Sequence, residues 1–416
     1  MLDVKKYYEE SFQDEWLRLE RHRTEFALSL RALQRWLPPP PANLLDIGSG
    51  PGRYAIALAQ QGYSLTLVDL SQPNLDLAQE NGRQAGVVFD ACLQGDVLDL
   101  QALSLPHRRY DAVLVMGPLY HLLHDSQRRA ALSQAVGLLV DGGVLFASFI
   151  TRFAFLREFA QGDPAAIAPE LENSQHILQS GQYDGHGAFT RAYFADPLEV
   201  MPLMESCGLE TLDLLGAEGV LAGHEEGVNA LQGELWEAWV DLNDHTARHP
   251  ALLGAADHLL YAGRKAHPGD RAAAFFQGGY NCAQSLAAAF APRFGLAPGM
   301  AARLAAPFGA GIARRAETCG AVSGALMVLG LAAGNAGLGD RDAKERAYRL
   351  GQEFMRRFQE IHGALECRRL QGYDLGSPDE LQLARQAGVF DDICPGLVRS
   401  AAGLVESMLS DIAQAG

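Results

Sequence analysis

Residues 44–69 constrain the fold of this chain more than any other part of it. They read LLDIGSGPGRYAIALAQQGYSLTLVD, which is an apolar run, a glycine-rich turn, a helical stretch and a second apolar run. The turn holds three closely spaced glycines: Gly48, Gly50 and Gly52. This order predicts two parallel β-strands joined through a helix. Asp69 ends the second strand, where an acid suits the two hydroxyls of a ribose.

The acid that precedes the glycines, Asp46, indicates which kind of nucleotide the turn could bind. Asp46 stands in the pattern D-x-G-x-G-x-G, where its carboxylate would repel a pyrophosphate. A sulfonium nucleoside with an amino-acid tail would tolerate that carboxylate. The segment therefore resembles motif I of the class I S-adenosylmethionine-dependent methyltransferases. A Rossmann-like domain for another nucleotide is the alternative.

The resemblance covers about residues 40–265 as an ordered set of motifs. It continues through LQGDVLDL, YDAVLVMGPLYHLL and GLLVDGGVLFASFI to SCGLETLDLLG and DHLLYAGRK. It implies S-adenosylmethionine as cofactor and an α/β Rossmann-like domain, whose mostly parallel seven-stranded sheet has an antiparallel last strand. The positions that the resemblance assigns to cofactor binding are Asp46, Gly48, Ser49, Gly50, Gly52, Asp69, Leu70, Asp96, Val97 and Met116.

Catalytic candidates follow the predicted fourth strand. Methyl transfer is an in-line displacement, so the protein mainly positions the acceptor and excludes water. Tyr120 and His121 stand at the end of this strand. His121 is the first candidate for a general base, because imidazole titrates near neutral pH. The alternative is a histidine hydrogen-bonded to the backbone at a helix start.

Two further segments are expected to cover the cofactor. An insertion after the fifth strand offers Tyr183, His186 and Arg191 as lid residues that could contact the substrate. An amphipathic helix before the four prolines at 38–41 is expected to pack over the cofactor, since its apolar residues recur at helical spacing. Arg18 and His22 of this helix are expected on its solvated face.

The second half of the chain places cysteines at predicted helix starts. Asn281 is a predicted N-cap, which makes Cys282 the first helical residue. Thr318 is a predicted cap before Cys319, and the cysteine of DICPG precedes a proline that favours the first turn. Because the positive end of a helix dipole stabilises a thiolate, these cysteines are expected to have lowered pKa values.

Residues 272–404 resemble a family described as redox-active, which has four cysteines, one of them within C-G-A-x-x-G. The matching residues are Cys282, Cys319, Cys367 and Cys394. The small residues of CGAVSG, which are Gly320, Ala321 and Gly324, would let another helix or a ligand approach closely. We expect Cys319 to be the most reactive thiol and Cys282 its partner.

Three roles are open for these thiols. They are reversible dithiol/disulfide chemistry, binding of a soft metal, cluster or metalloid, and inert packing. The cysteines form no C-x-x-C pair, which disfavours a zinc ribbon, and no metal site is predicted.

Length and composition indicate two domains. A chain of 416 residues exceeds one hydrophobic core, so we expect a methyltransferase domain over 1–265, a linker over 266–271 and a mainly α-helical domain over 272–416. With 48% hydrophobic and 20% charged residues, the chain fits a soluble protein. Glycines and Asn335 interrupt the apolar stretch 321–338, which favours a buried helix over a membrane span. The mixed, charged opening sequence resembles no secretory signal, so we expect a cytoplasmic protein.

Charge is distributed unevenly. Residues 270–416 carry 15 acidic and 15 basic side chains, so the net charge of −16 lies wholly in residues 1–269. An acidic first domain repels phosphate backbones, which makes nucleic acid a poor partner.

The combined expectation is a bifunctional chain. It would transfer methyl groups from S-adenosylmethionine to a small-molecule acceptor, and its second domain would do thiol redox chemistry or bind a soft metal. A thiol reductant or a metalloid is then a further partner. The alternative is a metal or metalloid carrier or sensor whose nucleotide domain reports occupancy. The oligomeric state stays open.

Overall fold

The computed structural model describes residues 2–185, 190–294, 296–334 and 337–415. The chain folds as two compact units, Met1–Lys265, which we call unit 1, and Ala266–Gly416, which we call unit 2.

Unit 1 alternates helices and strands. Its helices are α1 (Leu2–Arg21), α2 (Arg23–Trp36), α3 (Arg53–Ala59), α4 (Gln72–Gln84), α5 (Asp125–Gly137), α6 (Ala154–Gln161), α7 (Leu171–Ser180), α8 (Pro197–Ser206), α9 (Glu225–Asn229) and α10 (Gly233–Thr246). Its strands are β1 (Asn43–Ile47), β2 (Ser64–Asp69), β3 (Ala91–Gln94), β4 (Tyr110–Val115), β5 (Leu139–Thr151), β6 (Gln182–Tyr183), β7 (Ala192–Ala195), β8 (Leu209–Gly216) and β9 (His258–Lys265). Short 3₁₀ turns occupy Leu100–Ala102, Pro118–His121, Pro164–Ile167, Gly219–Leu221 and Pro250–Ala255.

The main sheet has the order β3-β2-β1-β4-β5-β9-β8. β1 to β5 pair in parallel, and β9 runs antiparallel to both of its neighbours. The apolar residues of β1 and β2 are buried, as expected for a sheet covered on both faces. The predicted fold class, a Rossmann-like sheet with one antiparallel strand, is confirmed.

The described part of the sheet has nine strands, which are the seven of the predicted sheet and two further strands, β6 and β7. β6 and β7 lie in the insertion and pair antiparallel with each other. β5 pairs with β4 only as far as Ala147, which leaves its last residues open on that side. β7 fills this position in parallel, opposite Ile150 and Thr151. The extra strands thus follow from the length of β5.

The N-terminal helix is broken in two. α1 ends and α2 begins on either side of His22, whose backbone is not helical and whose ring Nδ1 lies 2.8 Å from Oε2 of Glu225. α2 ends at Trp36, before the four prolines.

Unit 2 is helical throughout. Its helices are α11 (Pro268–Gln277), α12 (Cys282–Phe290), α13 (Pro298–Ala305), α14 (Gly309–Ile312), α15 (Gly320–Ala333), α16 (Arg341–His362), α17 (Cys367–Gln371), α18 (Pro378–Gln386), α19 (Val389–Asp392) and α20 (Cys394–Ala415). Two 3₁₀ turns occupy Ala291–Phe294 and Ala306–Phe308. Residues 266–271 are not a free linker: His267 caps α11 by accepting from the N–H of Gly269, and Pro268 opens the helix, where a proline is favourable. In the described parts of both units, none of the helices has the length and apolarity to cross a bilayer.

A left-handed segment precedes α15. Five successive residues, 310–314, have φ between 51° and 68°, and only one of them is a glycine. Ala316 follows with φ of 56°. The left-handed region costs an L-residue roughly 1–2 kcal/mol, so this segment is a local concentration of backbone strain.

Candidate active site

A cavity of about 120 Å³ lies at the carboxyl ends of β1, β2 and β4. This is where the strand order reverses between β1 and β4, which is the usual ligand site of such sheets. Five residues of α1 form one wall: Val4, Tyr8, Glu15, Arg18 and Leu19. Nine predicted cofactor residues line the cavity: Asp46, Gly48, Ser49, Gly50, Asp69, Leu70, Asp96, Val97 and Met116.

The glycine turn brings the backbone close to its neighbours. Gly48 has φ of +74°, and a Cβ on it would lie 2.5 Å from Cδ of Pro118, which begins the turn after β4. Gly52 does not line the cavity: it precedes α3, and a Cβ there would lie 3.0 Å from Cβ of Ala78 on α4. The first glycine thus shapes the cavity and the third serves helix packing.

Asp69 is held at the end of β2 by three N–H donors. Its Oδ2 accepts from the backbone N–H of Gly50 at 2.8 Å. Its Oδ1 accepts from the backbone N–H of Ser71 at 2.8 Å and from the side-chain amide of Asn74 at 3.3 Å. Burial nevertheless raises the pKa of Asp69, which these bonds oppose. The carboxylate is fixed in orientation and retains lone pairs for a diol.

The buried carboxyl of Asp46 makes a cationic ligand favourable in this cavity. Its side chain is 3% exposed, and burial, together with the neighbouring charge of Asp69, raises its pKa to about 7. A positively charged ligand would remove this penalty. Asn74 adds a buried carboxamide oxygen that has no hydrogen-bond partner within the described chain. The residues therefore fit a cationic nucleoside that carries hydroxyl donors.

The far end of the cavity is apolar except for one acid. Leu70, Val97 and Met116 line it beside Asp96. Oδ1 of Asp96 accepts from the N–H of Leu98 at 2.9 Å, which orients the carboxylate. This composition suits a flat base with an exocyclic amine.

His121 is buried at the acceptor end and is held on both sides. Its Nε2 lies 2.8 Å from the hydroxyl of Tyr8, and its Nδ1 lies 3.1 Å from the carbonyl oxygen of Arg191. The ring of Tyr120 packs edge-on at 4.7 Å. Burial lowers the pKa of His121 to about 4. This burial weighs against the expectation that the imidazole titrates near neutral pH, and the role of His121 as a base stays a prediction.

Arg18 is not on a solvated face. Its Nη1 and Nη2 donate to the two carboxylate oxygens of Glu25 at 2.7 and 2.9 Å, and it lines the cavity. Burial alone would raise the pKa of Glu25, but Arg18, with His258 and His22, lowers it to about 2. His22 is 44% exposed in its side chain and pairs with Glu225 away from the cavity lining. The fold of α1 back onto α2 creates the Arg18 pair.

Two of the predicted lid residues, Tyr183 and Arg191, do not line the described cavity. Tyr183 packs in an apolar cluster with Phe194 and Phe155. Arg191 pairs through its side chain with Asp3 of α1. His186 lies outside the described residues.

The sequence reasoning overlooked several cavity residues. Tyr8 and Glu15 lie on α1, Asn74 on α4, and Arg53 stacks on Trp16 at 3.8 Å and donates to its carbonyl oxygen at 3.0 Å. Tyr8 and Glu15 recur on one face of α1 with Arg18, at helical spacing. That periodicity was the available signal.

The four cysteines of unit 2 are buried in one apolar cluster. They are Cys282, Cys319, Cys367 and Cys394. Asn281 caps α12 in a capping box with Gln284, which confirms the predicted helix start. Cys319 is the N-cap of α15, so the helix begins at Gly320, one residue later than predicted. The predicted cap, Thr318, instead pairs with Glu366 in an isolated bridge.

Burial changes the predicted order of thiol reactivity. It raises the pKa of Cys319 to about 11, despite the backbone N–H groups of Ala321 and Val322, and that of Cys367 to about 12. Cys282 donates a hydrogen bond to Cys394, which raises the pKa of Cys282 and lowers that of Cys394. The interaction therefore favours the thiolate of Cys394 over that of Cys282. These shifts weigh against Cys319 as the most reactive thiol, which stays a prediction.

The close helix approach predicted from CGAVSG is confirmed. A Cβ on Gly320 would lie 3.0 Å from Cβ of Cys282, and one on Gly324 would lie 2.8 Å from the carbonyl oxygen of Ala283. Both of these neighbours lie on α12. The small residues therefore bring the starts of α12 and α15 together.

No three thiols in the described chain have sulfur atoms within 4.8 Å of one another. The described group that meets this spacing is Glu25, Glu218 and His258 in unit 1. Arg18 neutralises Glu25, and His258 lies 2.5 Å from Glu218, so two cations balance the two acids. This cluster is a closed charge network.

Unit 2 has a second cavity, of about 560 Å³, beside the left-handed segment. Ala310 and Ala313 of that segment form part of its wall, together with the side chains of Arg314 and Arg385.

Comparisons with known proteins match each unit to a family. Residues 44–143 match the methyltransferase domain family, and residues 280–408 match the family described as "Putative redox-active protein (C_GCAxxG_C_C)". The ubiquinone biosynthesis O-methyltransferase of Coxiella burnetii (strain Dugway 5J108-111) is 30% identical over 176 residues, which cover 42% of this chain and 66% of that enzyme. The enzyme of the same name from Methylobacterium nodulans is 29% identical over 183 residues, or 44% of this chain and 66% of its own.

Solved structures are also similar. A SAM-dependent methyltransferase of Methanosarcina mazei has a TM-score of 0.40 and 15% identity, covering 56% of this chain and 97% of its own. The chain spans just under two thirds of the curated relatives that it matches.

Proposed function

From the premise that the chain carries a methyltransferase domain followed by a C_GCAxxG_C_C domain, we propose that it transfers a methyl group from S-adenosylmethionine to a small-molecule acceptor. We propose that the second domain supplies thiol redox chemistry to the same process.

The observation that carries the proposal is the cavity at the switch point of the sheet. Two buried carboxylates, Asp46 and Asp69, face it without a counter-cation, and an apolar floor lies beyond them. This donor set suits a cationic nucleoside and does not suit a pyrophosphate. S-adenosylmethionine would supply a methyl group on a sulfonium, which is an electrophile for in-line displacement.

Different residues of the cavity would bind different parts of the cofactor during such a transfer. Asp69 would hold the ribose, the turn from Gly48 to Gly50 would approach the amino-acid tail, and Asp96 would receive the amine of the base. α1 covers the cavity and would exclude water during transfer. Tyr8, Tyr120 and His121 stand where the acceptor would meet the methyl group.

The acceptor class is proposed from the relatives. Their names describe O-methyltransferases, which supports a hydroxyl acceptor for this chain. The thiols of unit 2 make a thiol or a metalloid the alternative acceptor, so an acceptor screen should contain phenols, thiols and arsenite. We propose a cytoplasmic location, because free thiols persist in reducing compartments.

The thiols support a redox role more than a metal role. Cys282 and Cys394 already share a hydrogen bond, whereas the described thiols gather in no group of three at ligand spacing. The competing function is a metal or metalloid carrier or sensor. Elemental analysis of the purified full chain separates the two, because a carrier would retain metal in near-stoichiometric amount.

The test of the main proposal is calorimetry on the full chain. We expect saturable binding of S-adenosylmethionine and of its demethylated product, and no binding of NAD. Binding of NAD without the methyl donor would overturn the assignment.

A further inference from the structure

We propose that the hydroxyl of Tyr8 is the group that receives the proton of the methyl acceptor, and that it passes its own hydrogen to the ring of His121. This inference deepens the proposed methyl transfer and rests on it.

The partners of His121 settle which ring nitrogen carries hydrogen. Nδ1 lies 3.1 Å from the carbonyl oxygen of Arg191, and a carbonyl oxygen can only accept. Nδ1 therefore carries the hydrogen of the neutral ring, and Nε2 holds a lone pair. The hydroxyl of Tyr8, 2.8 Å away, donates to that lone pair.

In this arrangement the hydroxyl of Tyr8 covers Nε2 of His121, and the oxygen of Tyr8 is the atom that can contact the methyl acceptor. An acceptor could reach Nε2 only by displacing the phenol that already occupies it. Tyr8 directs its one hydrogen at His121. Its side chain also interacts with that of Tyr120, which uses at most one of the two lone pairs on the oxygen of Tyr8 and leaves the other for the acceptor. Tyr8 lines the cavity from α1, opposite the turn after β4. Its oxygen is thus an acceptor placed in the cavity wall.

Arg191 holds both members of the pair in position. Its backbone carbonyl fixes the ring of His121, and its side chain pairs with Asp3 on α1, the helix that carries Tyr8. Ser71 adds a contact of 3.4 Å from its hydroxyl to the carbonyl oxygen of Tyr8. A single residue of the insertion therefore sets the distance between the phenol and the imidazole.

The proton balance of the step is complete. The hydrogen of the acceptor's hydroxyl passes to the oxygen of Tyr8 as the hydrogen of Tyr8 passes to Nε2 of His121. The acceptor oxygen uses the freed electron pair to bond the methyl carbon, and the carbon–sulfur bond breaks with its pair left on sulfur. The positive charge of the sulfonium ends as a proton on His121, which the solvent removes after the product leaves.

The first test removes only the phenolic hydroxyl. Tyr8→Phe should lower kcat/KM for catechol by about 10²–10⁴, because the hydroxyls of catechol stay protonated at neutral pH. The same variant should lose less than about tenfold with thiophenol, which is largely ionised and needs no proton acceptor. Tyr7→Phe is the matched control, since Tyr7 lies beside Tyr8 and does not line the cavity. Equal losses with both acceptors would overturn the proposal.

The second test asks whether the imidazole of His121 has to take up the hydrogen of Tyr8. A glutamine can place an amide oxygen near the position of Nε2, where it accepts from Tyr8 but cannot take up a proton at any ordinary pH. His121→Gln should therefore lose as much activity on catechol as Tyr8→Phe, and it should lose less than about tenfold with thiophenol, which needs no proton acceptor. If His121→Gln keeps most of its activity on catechol, the imidazole takes up no proton and the proposal is wrong.

A third readout needs no acceptor. Nitrogen-15 NMR of the full chain labelled at histidine should show His121 as the neutral tautomer with hydrogen on Nδ1, and Tyr8→Phe should shift the Nε2 resonance only of that ring. Hydrogen on Nε2 in the unmodified protein would overturn the inference even if methyl transfer is observed. Failure to bind S-adenosylmethionine would instead reject the proposed function and leave the tautomer result to be judged by itself.

Discussion

Arg18 and Glu25 form a two-pronged ion pair at the wall of the cavity, with nitrogen–oxygen distances of 2.7 and 2.9 Å. The pair joins α1 to α2 across the break at His22. Glu25 is almost fully buried, whereas the side chain of Arg18 is 30% exposed.

Removing Arg18 should therefore destabilise unit 1 by leaving a buried carboxylate without its cation. We expect Arg18→Gln to lower the free energy of unfolding by about 1–3 kcal/mol. All four tryptophans lie in unit 1, so urea unfolding followed by tryptophan fluorescence reports that unit. Arg31→Gln is the control, because its pairs with Glu237 and Asp241 are exposed and worth about 0–1 kcal/mol. Equal effects would contradict the assigned role of Arg18.

Asp69→Ala should weaken binding of S-adenosylmethionine. Hydrogen bonds to a charged group contribute about 1.5–3 kcal/mol each, so losing one already raises Kd by roughly tenfold or more. Calorimetry measures the change, and Asp76→Ala, on the exposed side of α4, is the control. An unchanged Kd for Asp69→Ala would place the ribose elsewhere.

Asp46 should make cofactor binding depend on pH near neutrality. With a pKa of about 7, it is partly protonated in the empty protein, and a bound cation should hold it ionised. Binding should then release protons and tighten as pH rises from 6 to 8, an effect that Asp46→Asn should abolish. Calorimetry in buffers of different ionisation enthalpy counts the protons. No proton release near pH 7 would rule this out.

The same carboxyl should lower the stability of the empty protein. Because its folded pKa lies above the ordinary value of 3.8, Asp46 favours folding at low pH, and this contribution is lost as pH rises from about 4 to 7. Asp46→Asn should therefore stabilise the cofactor-free protein at pH 8, by no more than about 4 kcal/mol at about 1.36 kcal/mol for each pKa unit. Unfolding at pH 4 and pH 8 compares the two limits.

Cys394 should react first among the thiols of unit 2. Alkylation of the reduced full chain at graded pH, mapped by mass spectrometry, should show Cys394 labelled at lower pH than Cys282 or Cys319, since Cys282 stabilises its thiolate. Cys282→Ser should move the labelling of Cys394 toward higher pH. In urea the differences should vanish. Fastest labelling at Cys319 would restore the order that the helix-dipole argument predicts.

Relief of backbone strain should stabilise unit 2. Ala313 is exposed and has φ of 51°, so Ala313→Gly should raise the free energy of unfolding by up to about 1 kcal/mol, because glycine adopts this region freely. Ala274→Gly, at an exposed position of helix α11, should instead lower it by about 0.5–1 kcal/mol. Circular dichroism during urea unfolding measures both variants. Destabilisation by Ala313→Gly would contradict the left-handed assignment.

Local patterns explain which parts of the site were predictable. The glycine turn and the strand ends lie within short stretches of chain, so Asp46, Asp69 and Asp96 could be placed from sequence. Tyr8 and Arg18 could not, because their contacts with His121 and Glu25 depend on how α1 folds over the sheet. Helical periodicity indicated a common face of α1 without indicating what that face covers.

The pKa of each thiol depends on two opposing effects, the helix dipole and burial, and the sequence does not show which of them is larger. A helix start stabilises an exposed thiolate by about 0.3–1 kcal/mol, whereas burial can raise a pKa by several units. The sequence predicts the first effect at Cys282 and Cys319. The second depends on which helices pack over them, and it prevails at both. The hydrogen bond to Cys394 likewise joins residues that are distant in sequence.

Arg191 lies in the insertion after β5, yet it braces the first helix of the chain and the imidazole after β4 at once. The geometry proposed for proton transfer therefore depends on a residue that does not line the described cavity. Substitution of Arg191 would change both the proton-transfer geometry and the selectivity for the acceptor. This one arginine therefore limits how far the pocket can evolve.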